Sequence, residues 1–306
     1  MAIQTVQAII NGQTVNLTLN ASTGKYEATV TAPSASSHPQ SGHYFPVTIK
    51  ATDTASNITT ADDTHATLGS NLRLFVKEQI KPTIVFLAPT SGAHIINATP
   101  TITFKLLDNG SQASGFSGID TSTCVVKING TAVSGATFSP ITGGYEGSLT
   151  PSTAIPDGTC TVTVDVDDFD GNHADTASIT FTIDTVAPTL TLSSPTDGLE
   201  TNQSTVDVVG ATSDATSTPV TITITNNGTD QGAVTVGANG EFSKTITLAQ
   251  QSTNTIVVTA TDAAGKTTSV TRTVVHNAVG PKIKSVAITP NPVNAGQTYT
   301  IAVEVE

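Results

Sequence analysis

The sequence is poor in the residues on which several protein classes depend. Its 306 residues include no Trp, one Met, two Cys and only 12 Lys or Arg. Two cysteines cannot form the disulfide framework of a small secreted domain. The net charge of −12 excludes the basic surface that nucleic acid binding requires. Without Trp, and with its four Tyr at strand positions, the chain has no obvious aromatic platform for a glycan.

Long apolar runs are missing as well. No segment approaches the ~18 apolar residues of a membrane span. The start, "MAIQTVQAIINGQTVNLTLN", places Gln, Thr and Asn where a secretory leader would be continuously apolar, so we expect no leader. Polar and apolar residues instead alternate over short stretches rich in Thr and Val, which is typical of β-strands.

Three sets of internal repeats organise these strands. In the first set, each strand ends in a turn with an equivalent aspartate, Asp53, Asp168 or Asp262. The second set combines an Asn-Gly hairpin signal with a later Gly turn and an aromatic residue. The third set opens domains with a proline that suits an edge strand. The first set is "PVTIKATDTASN" (46–57), "TVTVDVDDFDGN" (161–172) and "TIVVTATDAAGK" (255–266); the third is "KPTIVFLAP" (81–89), "APTLTLSSP" (187–195) and "GPKIKSVAITP" (280–290).

The spacing of strands and turns over ~100 residues predicts an all-β protein of tandem immunoglobulin-like β-sandwiches. Strand length and short linkers predict that the sandwiches form an extended rod. The repeats give four segments. They are an Ig-like domain without its first two strands (1–81), two complete Ig-like domains (82–186 and 187–279), and a two-strand segment that matches the start of such a domain (280–306).

The sequence pattern "DTVAPTLTLSSPTDG" followed by "TDAAGK" resembles that of bacterial and phage Ig-like domains. The whole chain, including "NGQTVNLTLNASTGKYEAT" and "NPVNAGQTYTIAVEVE", resembles Ig-repeat proteins encoded among the tail genes of phages and prophages of Gram-positive bacteria. This resemblance implies a structural particle component without catalysis.

An acidic cluster, "DVDDFDGNH" at 165–173, is the strongest candidate site. The turn that contains it should lie at the same end of the sandwich as the loop 108–120. Converging carboxylates are what a calcium ion needs, although an aspartate in a turn often bonds only its own backbone. His173 could complete an acid and base pair, but no nucleophile motif, phosphate loop or zinc spacing accompanies it, so we predict no enzyme. Calcium is the one possible cofactor, with the candidate ligands Asp108, Asp120, Asp167, Asp168 and Asp170.

The C-terminal segment provides a candidate interface. Two strands alone are marginal in water, and strand donation to a neighbouring copy would complete the first domain. Alternatively, the segment pairs with a different tail protein, or is a vestige or a truncated domain. The side chains predicted to enter the neighbour's core are Tyr299, Ile301, Val303 and Val305.

Together these features favour a non-catalytic component of a phage or phage-like particle, at the distal tail or baseplate. Such a protein would be made in the bacterial cytoplasm and released by lysis. Its expected partners are further copies, other tail or baseplate proteins and a host cell surface. The rival hypothesis is a bacterial cell-surface adhesin or stalk of tandem Ig-like domains.

Overall fold

The structure is a computed structural model that describes residues 2–108 and 115–306. Residues 109–114, in the loop expected beside the acidic cluster, lie outside the described residues. Two short 3-10 helices, Ser41–His43 and Gly69–Leu72, interrupt an otherwise β architecture. Within the described ranges, no helix is long and apolar enough to cross a membrane. The chain divides into two compact units, residues 1–183 and 184–306.

The first unit begins with one six-stranded antiparallel sheet. Its strands are β1 (Ile3–Ile10), β2 (Gln13–Asn20), β3 (Lys25–Glu27), β4 (Phe45–Asp53), β5 (Ile58–Ala61) and β6 (Arg73–Leu74). Their order is β3-β2-β1-β4-β5, and β6 pairs with the start of β4. At the β1–β2 turn, Asn11 and Gly12 have φ angles of 46° and 75°, the left-handed conformation that a tight hairpin needs.

This first sheet has one apolar face. Val6 lies opposite Ala51, and Ala8 lies opposite Ile49, so these four side chains share a face. Ala8 is buried, but the other three are only partly buried. Alternation along the strands places polar residues such as Lys50 on the other face.

The rest of the first unit is a β-sandwich. Its strands are β7 (Thr83–Ala88), β8 (His94–Ile95), β9 (Ile102–Leu107), β10 (Ile119–Ile128), β11 (Thr131–Val133), β12 (Thr137–Ile141), β13 (Gly144–Leu149), β14 (Gly158–Asp168) and β15 (Ala177–Ile183). One sheet has the order β12-β13-β9-β7, and the other β11-β10-β14-β15-β8. The short β8 pairs in parallel with β15, whereas the other pairings are antiparallel.

The core of this sandwich follows the predicted alternation. Strand β14 buries Cys160, Val162, Val164 and Val166 completely or nearly so, while the residues between them are half-buried. Across the core, Phe104 is fully buried. Its ring occupies the space beside Gly147, where an added Cβ would lie 2.4 Å from a ring carbon, so a larger residue here would force the ring to move.

The second unit contains another sandwich. Its strands are β16 (Thr189–Ser194), β17 (Leu199–Thr201), β18 (Thr205–Ser213), β19 (Thr221–Asn226), β20 (Thr229–Asp230), β21 (Glu241–Thr247), β22 (Ser252–Thr261) and β23 (Thr267–His276). The sheets have the orders β16-β18-β21 and β17-β23-β22-β19-β20. As in the first unit, a short strand, β17, pairs in parallel with the last long strand, β23. Val208, Ile224, Ile256 and Val258 are central in the core.

A separate hairpin ends the second unit. Strands β24 (Ile283–Thr289) and β25 (Thr300–Val305) pair antiparallel and are exposed along their whole length. Ile288 faces Ile301, and Val286 faces Val303, so the hairpin has an apolar face. The predicted interface residues lie on it, 52–59% exposed: Tyr299, Ile301, Val303 and Val305.

Candidate metal centre

Three buried carboxylates converge at one end of the first unit's sandwich. Glu78 lies in the segment that precedes β7, Asp108 directly follows β9, and Asp168 is the last residue of β14. They are 8%, 4% and 2% exposed. One oxygen from each carboxylate lies within 4.8 Å of the other two. This spacing would allow all three oxygens to bind one metal ion.

The turn after β14 sets the orientation of Asp168. Its Oδ1 accepts a hydrogen bond from the backbone N–H of Asn172 (2.8 Å), and its Oδ2 accepts one from the Asn172 side-chain amide (2.7 Å). Asp53 and Asn57 make the same pair of bonds after β4. Aspartate folds such turns by bonding to backbone N–H groups, which explains why the repeats share it.

Of the other two carboxylates, Asp108 is only partly satisfied, whereas both oxygens of Glu78 accept hydrogen bonds. The Gly118 N–H donates to Asp108 Oδ2 (2.6 Å), whereas Asp108 Oδ1 is buried and has no hydrogen-bond partner among the described residues. Glu78 Oε1 accepts from the Asn172 side-chain amide (3.0 Å), and Glu78 Oε2 accepts from the N–H of Ile80. A buried oxygen without a partner costs about 1–3 kcal/mol, so the cluster as described is under-compensated.

Burial and charge repulsion raise the pKa values of Glu78 and Asp108. The pKa of Glu78 is raised from 4.5 to about 7; burial is the largest cause, and the neighbouring Asp168 is the second. Burial also raises the pKa of Asp108. Within the described ranges no Lys, Arg or His forms an ion pair with any of the three carboxylates. A hard cation such as Ca²⁺, which prefers carboxylate and carbonyl oxygens, fits this donor set.

The same cluster ties the linker to the sandwich. The Glu78 N–H donates to Asp170 Oδ2 (2.9 Å), and Lys77 Nζ donates to the Asp170 carbonyl (2.8 Å). On its other side, the linker bonds to the first sheet's long loop, because Ser37 N–H donates to the Val76 carbonyl (2.9 Å) and Ser37 Oγ accepts from Val76 N–H (3.0 Å). Glu78 therefore belongs to a linker that is held from both sides.

The structure brings only part of the predicted calcium set together. Asp108 and Asp168 are in the cluster, and Asp170 borders it through its bond to the Glu78 backbone. Asp120 and Asp167 lie opposite each other in the β10–β14 pairing, outside the cluster. The cause is strand alternation, since neighbouring residues of β14 point to opposite faces and Asp168 points to the core side.

Asp120 and Asp167 have local partners instead. Asp120 Oδ1 accepts from the N–H (3.0 Å) and hydroxyl (2.6 Å) of Ser122. Asp167 Oδ1 lies 2.5 Å from Nδ1 of His173, whose side chain is 62% exposed. The exposed His173 pair is therefore separate from the buried carboxylates, which leaves no joint acid and base arrangement among them.

Glu78 was not among the ligands predicted from the sequence. It lies four residues before Pro82, in the segment preceding the domain-opening repeat, and Asp184 holds the same position before Pro188. This recurrence of an acidic residue was visible in the repeats. Its role is apparent only from the structure, which places both linker residues beside the turn aspartates.

Two family models match successive segments of the chain. Residues 96–185 match the bacterial Ig-like domain, and residues 188–278 match domain B of glucodextranase. Each match covers less than half of the chain. No curated protein matches the sequence.

Solved structures with Ig-like or fibronectin-like domains are similar at low identity. Fibronectin(III)-like modules of Clostridium thermocellum CbhA are 14% identical, with 63% of this chain and 94% of that chain covered and a TM-score of 0.39. Immunoglobulin domains 1–5 of Sidekick-1 are 11% identical (99% and 60% covered, TM-score 0.38). A tetra-tandem repeat from the extending region of a large adhesion protein is 19% identical (98% and 79% covered, TM-score 0.33).

These structural similarities are too low to indicate a function. With the observed sheets and the matches to Ig-like family models, the predicted fold class is confirmed: this is an all-β chain of tandem immunoglobulin-like β-sandwiches.

Proposed function

We propose that this chain is a non-catalytic spacer segment of a bacterial cell-surface adhesin or stalk, in which calcium fixes the linker before a sandwich domain. The observation that carries the proposal is the position of Glu78, a linker residue buried against Asp108 and Asp168 of the following sandwich. The match of residues 96–185 to the bacterial Ig-like domain supports it.

A cation at this cluster would act on both stability and linker geometry. The three carboxylates come from the linker, the end of β9 and the end of β14, so one ion would join segments that are distant in sequence. Because the ion binds the folded arrangement and not the unfolded chain, it stabilises the fold according to its concentration. In a stalk, this coupling would keep the linker ordered where free calcium is abundant.

Calcium binding can be tested on the full chain with a readout specific to this sandwich. Both cysteines of the protein lie in it, so their reaction with a thiol reagent in urea reports its unfolding. We expect calcium to raise the urea concentration at which the thiols react. Glu78→Gln and Asp168→Asn should abolish this shift, whereas Glu146→Gln, in β13 of the other sheet, should keep it. A shift that persists in both cluster variants would overturn the calcium proposal.

The location of the protein is tested separately. Antibodies against the chain should label intact cells of the bacterium that carries the gene. If the chain instead sediments with tail-like particles released by lysis, the stalk proposal fails in favour of the phage component predicted from the sequence. That particle role, and the release by lysis that it implies, stays a prediction.

We also infer that the β24–β25 hairpin pairs with a second copy of the chain. Its first strand, β24, matches by sequence the strands β7 and β16 that open the two sandwiches, and β24–β25 pair antiparallel as β7–β9 and β16–β18 do. In the sandwiches, that pair covers the apolar face of the opposite sheet. The partly exposed apolar face of the first sheet, around Ala8 and Ile49, offers an equivalent surface on the second copy.

Light scattering over a range of concentrations tests this pairing. We expect self-association that Ile301→Asp and Val303→Asp abolish, while Thr300→Asp on the opposite face of β25 retains it. A wild-type chain that stays monomeric would overturn the pairing with a second copy, and would leave a different partner or further segments of a longer protein to cover the hairpin.

A further inference from the structure

The second unit contains its own carboxylate cluster, which no sequence motif indicated. Asp184 precedes β16, Asp214 directly follows β18, and Asp262 directly follows β22. One oxygen from each lies within 4.8 Å of the other two. Asp184 is fully buried and Asp262 is 5% exposed. These positions are equivalent to Glu78, Asp108 and Asp168 of the first unit.

Backbone N–H groups hold each of these carboxylates by one oxygen. Asp184 Oδ1 accepts from Val186 N–H (3.1 Å), and Asp262 Oδ1 accepts from Lys266 N–H (2.9 Å). Asp214 Oδ1 accepts from the N–H groups of Thr216 (2.8 Å) and Ser217 (2.7 Å). The carboxylates are therefore oriented by local turns and do not depend on one another for their positions.

The two clusters differ in the hydrogen-bond partners of the second carboxylate oxygens. In the turn after β14, the Asn172 amide donates to the second oxygen of the aspartate. The equivalent residue after β22 is Lys266, which bonds the aspartate side chain only through its backbone N–H. As a result Asp262 Oδ2 is buried with no hydrogen-bond partner among the described residues, and the same is true of Asp184 Oδ2.

We propose that Asp184, Asp214 and Asp262 form a second calcium site. Three carboxylates close together carry a charge that the protein leaves uncompensated, because none of the ion pairs in the described ranges involves them. Ca²⁺–oxygen bonds of about 2.3–2.6 Å place two ligand atoms of one ion no more than about 5 Å apart, which agrees with the observed spacing. Backbone carbonyls and water would complete the coordination.

This inference uses the cation chemistry of the proposed function but rests on different residues. Its own support is the pair of orphaned oxygens, together with the replacement of the asparagine by Lys266. With no amide competing for Asp262 Oδ2, this site should bind calcium at least as tightly as the first one.

Equilibrium dialysis and amide hydrogen exchange on the full chain test the second site. We expect two calcium ions per chain, of which Asp262→Asn and Asp184→Asn remove one and Asp168→Asn the other. Calcium should slow exchange of the Val186, Thr216 and Ser217 amides at least about tenfold. Asp230→Asn, in the exposed strand β20 of the same unit, serves as the control and should change neither result.

The outcomes separate the two proposals. If Asp184→Asn and Asp262→Asn bind as much calcium as the wild type, the second site is wrong. If the wild type binds one ion that only Asp168→Asn removes, this inference fails and the proposed function stands. If it binds one ion that only Asp184→Asn and Asp262→Asn remove, the second site is confirmed and the first is excluded.

Discussion

The side-chain amide of Asn172 bridges two carboxylates: it lies 3.0 Å from Glu78 Oε1 and 2.7 Å from Asp168 Oδ2. One neutral donor thus joins the linker to the turn after β14. In the absence of a cation, this bridge offsets part of the repulsion between two buried acids.

Substitutions at Asn172, in the turn after β14, and at the equivalent Lys266, in the turn after β22, should test the role of this bridge. Asn172→Ala removes the bridge and should destabilise the calcium-free sandwich by about 1–3 kcal/mol, because buried acceptors lose their donor. The reciprocal change, Lys266→Asn, should stabilise the calcium-free second unit by supplying a donor to Asp262, and should weaken the effect of calcium there. Urea unfolding with and without calcium measures both. Equal stability of Asn172→Ala and the wild type without calcium would contradict the bridge.

Stability of the first sandwich should fall as pH rises when calcium is absent. The pKa of Glu78 is raised from 4.5 to about 7 in the folded state, so the folded chain binds more protons than the unfolded chain between these values. The stabilisation is fully present below pH 4.5 and is lost as pH rises through 7. The shift corresponds to at most about 3 kcal/mol.

Thiol exposure in urea at pH 5 and pH 8 measures this dependence in calcium-free buffer. Glu78→Gln cannot titrate, so it should flatten the profile, and calcium should flatten it by stabilising the charged carboxylate. An unchanged slope in Glu78→Gln would assign the dependence to another group.

The two thiols should react slowly in the native protein. Burial raises the pKa of Cys124 to about 11 and also raises the pKa of Cys160, which is fully buried. Because the thiolate is the reactive species, labelling of Cys124 at pH 8 should be roughly a hundredfold slower than that of an ordinary exposed thiol. Rapid labelling of either thiol without denaturant would show that the strand register around β10 or β14 is wrong.

Core packing predicts a large difference between two phenylalanines. Phe104 is fully buried, so Phe104→Ala should destabilise the sandwich by about 3–5 kcal/mol. Phe75 is 65% exposed, and Phe75→Ala should cost far less. The urea midpoint for thiol exposure compares the two variants directly. Similar losses in both would contradict the assigned core.

Alternation along the chain was sufficient to predict much of the fold. In the repeated strands at 161–172 and 255–266, the alternating apolar residues, such as Val162 and Val258, are the buried ones, because a half-buried strand repeats its environment every two residues. The expectation that Asp108 and Asp168 lie at one end of the sandwich also agrees with the structure. Both inferences depended on topology that the repeats made visible.

The residues of the candidate metal site could be predicted from the sequence less completely than the fold. A run such as "DVDD" offers three carboxylates, but the pleat sends Asp165 and Asp167 to one face and Asp168 to the other. Glu78 was missed because a linker has no periodicity from which burial can be inferred. The effect of Lys266 in place of an asparagine became visible only once the partner of each carboxylate oxygen was known.

The parallel pairing of β17 with β23 has a mechanical consequence. The two strands lie near opposite ends of the domain's sequence and run in the same direction, with Leu199, Glu200 and Thr201 beside Val274, Val275 and His276. A pulling force applied at the domain's two ends would slide these strands past each other, so their hydrogen bonds would be loaded together and not broken one at a time. The corresponding β8–β15 pair joins two residues of each strand, so it should yield at a lower force.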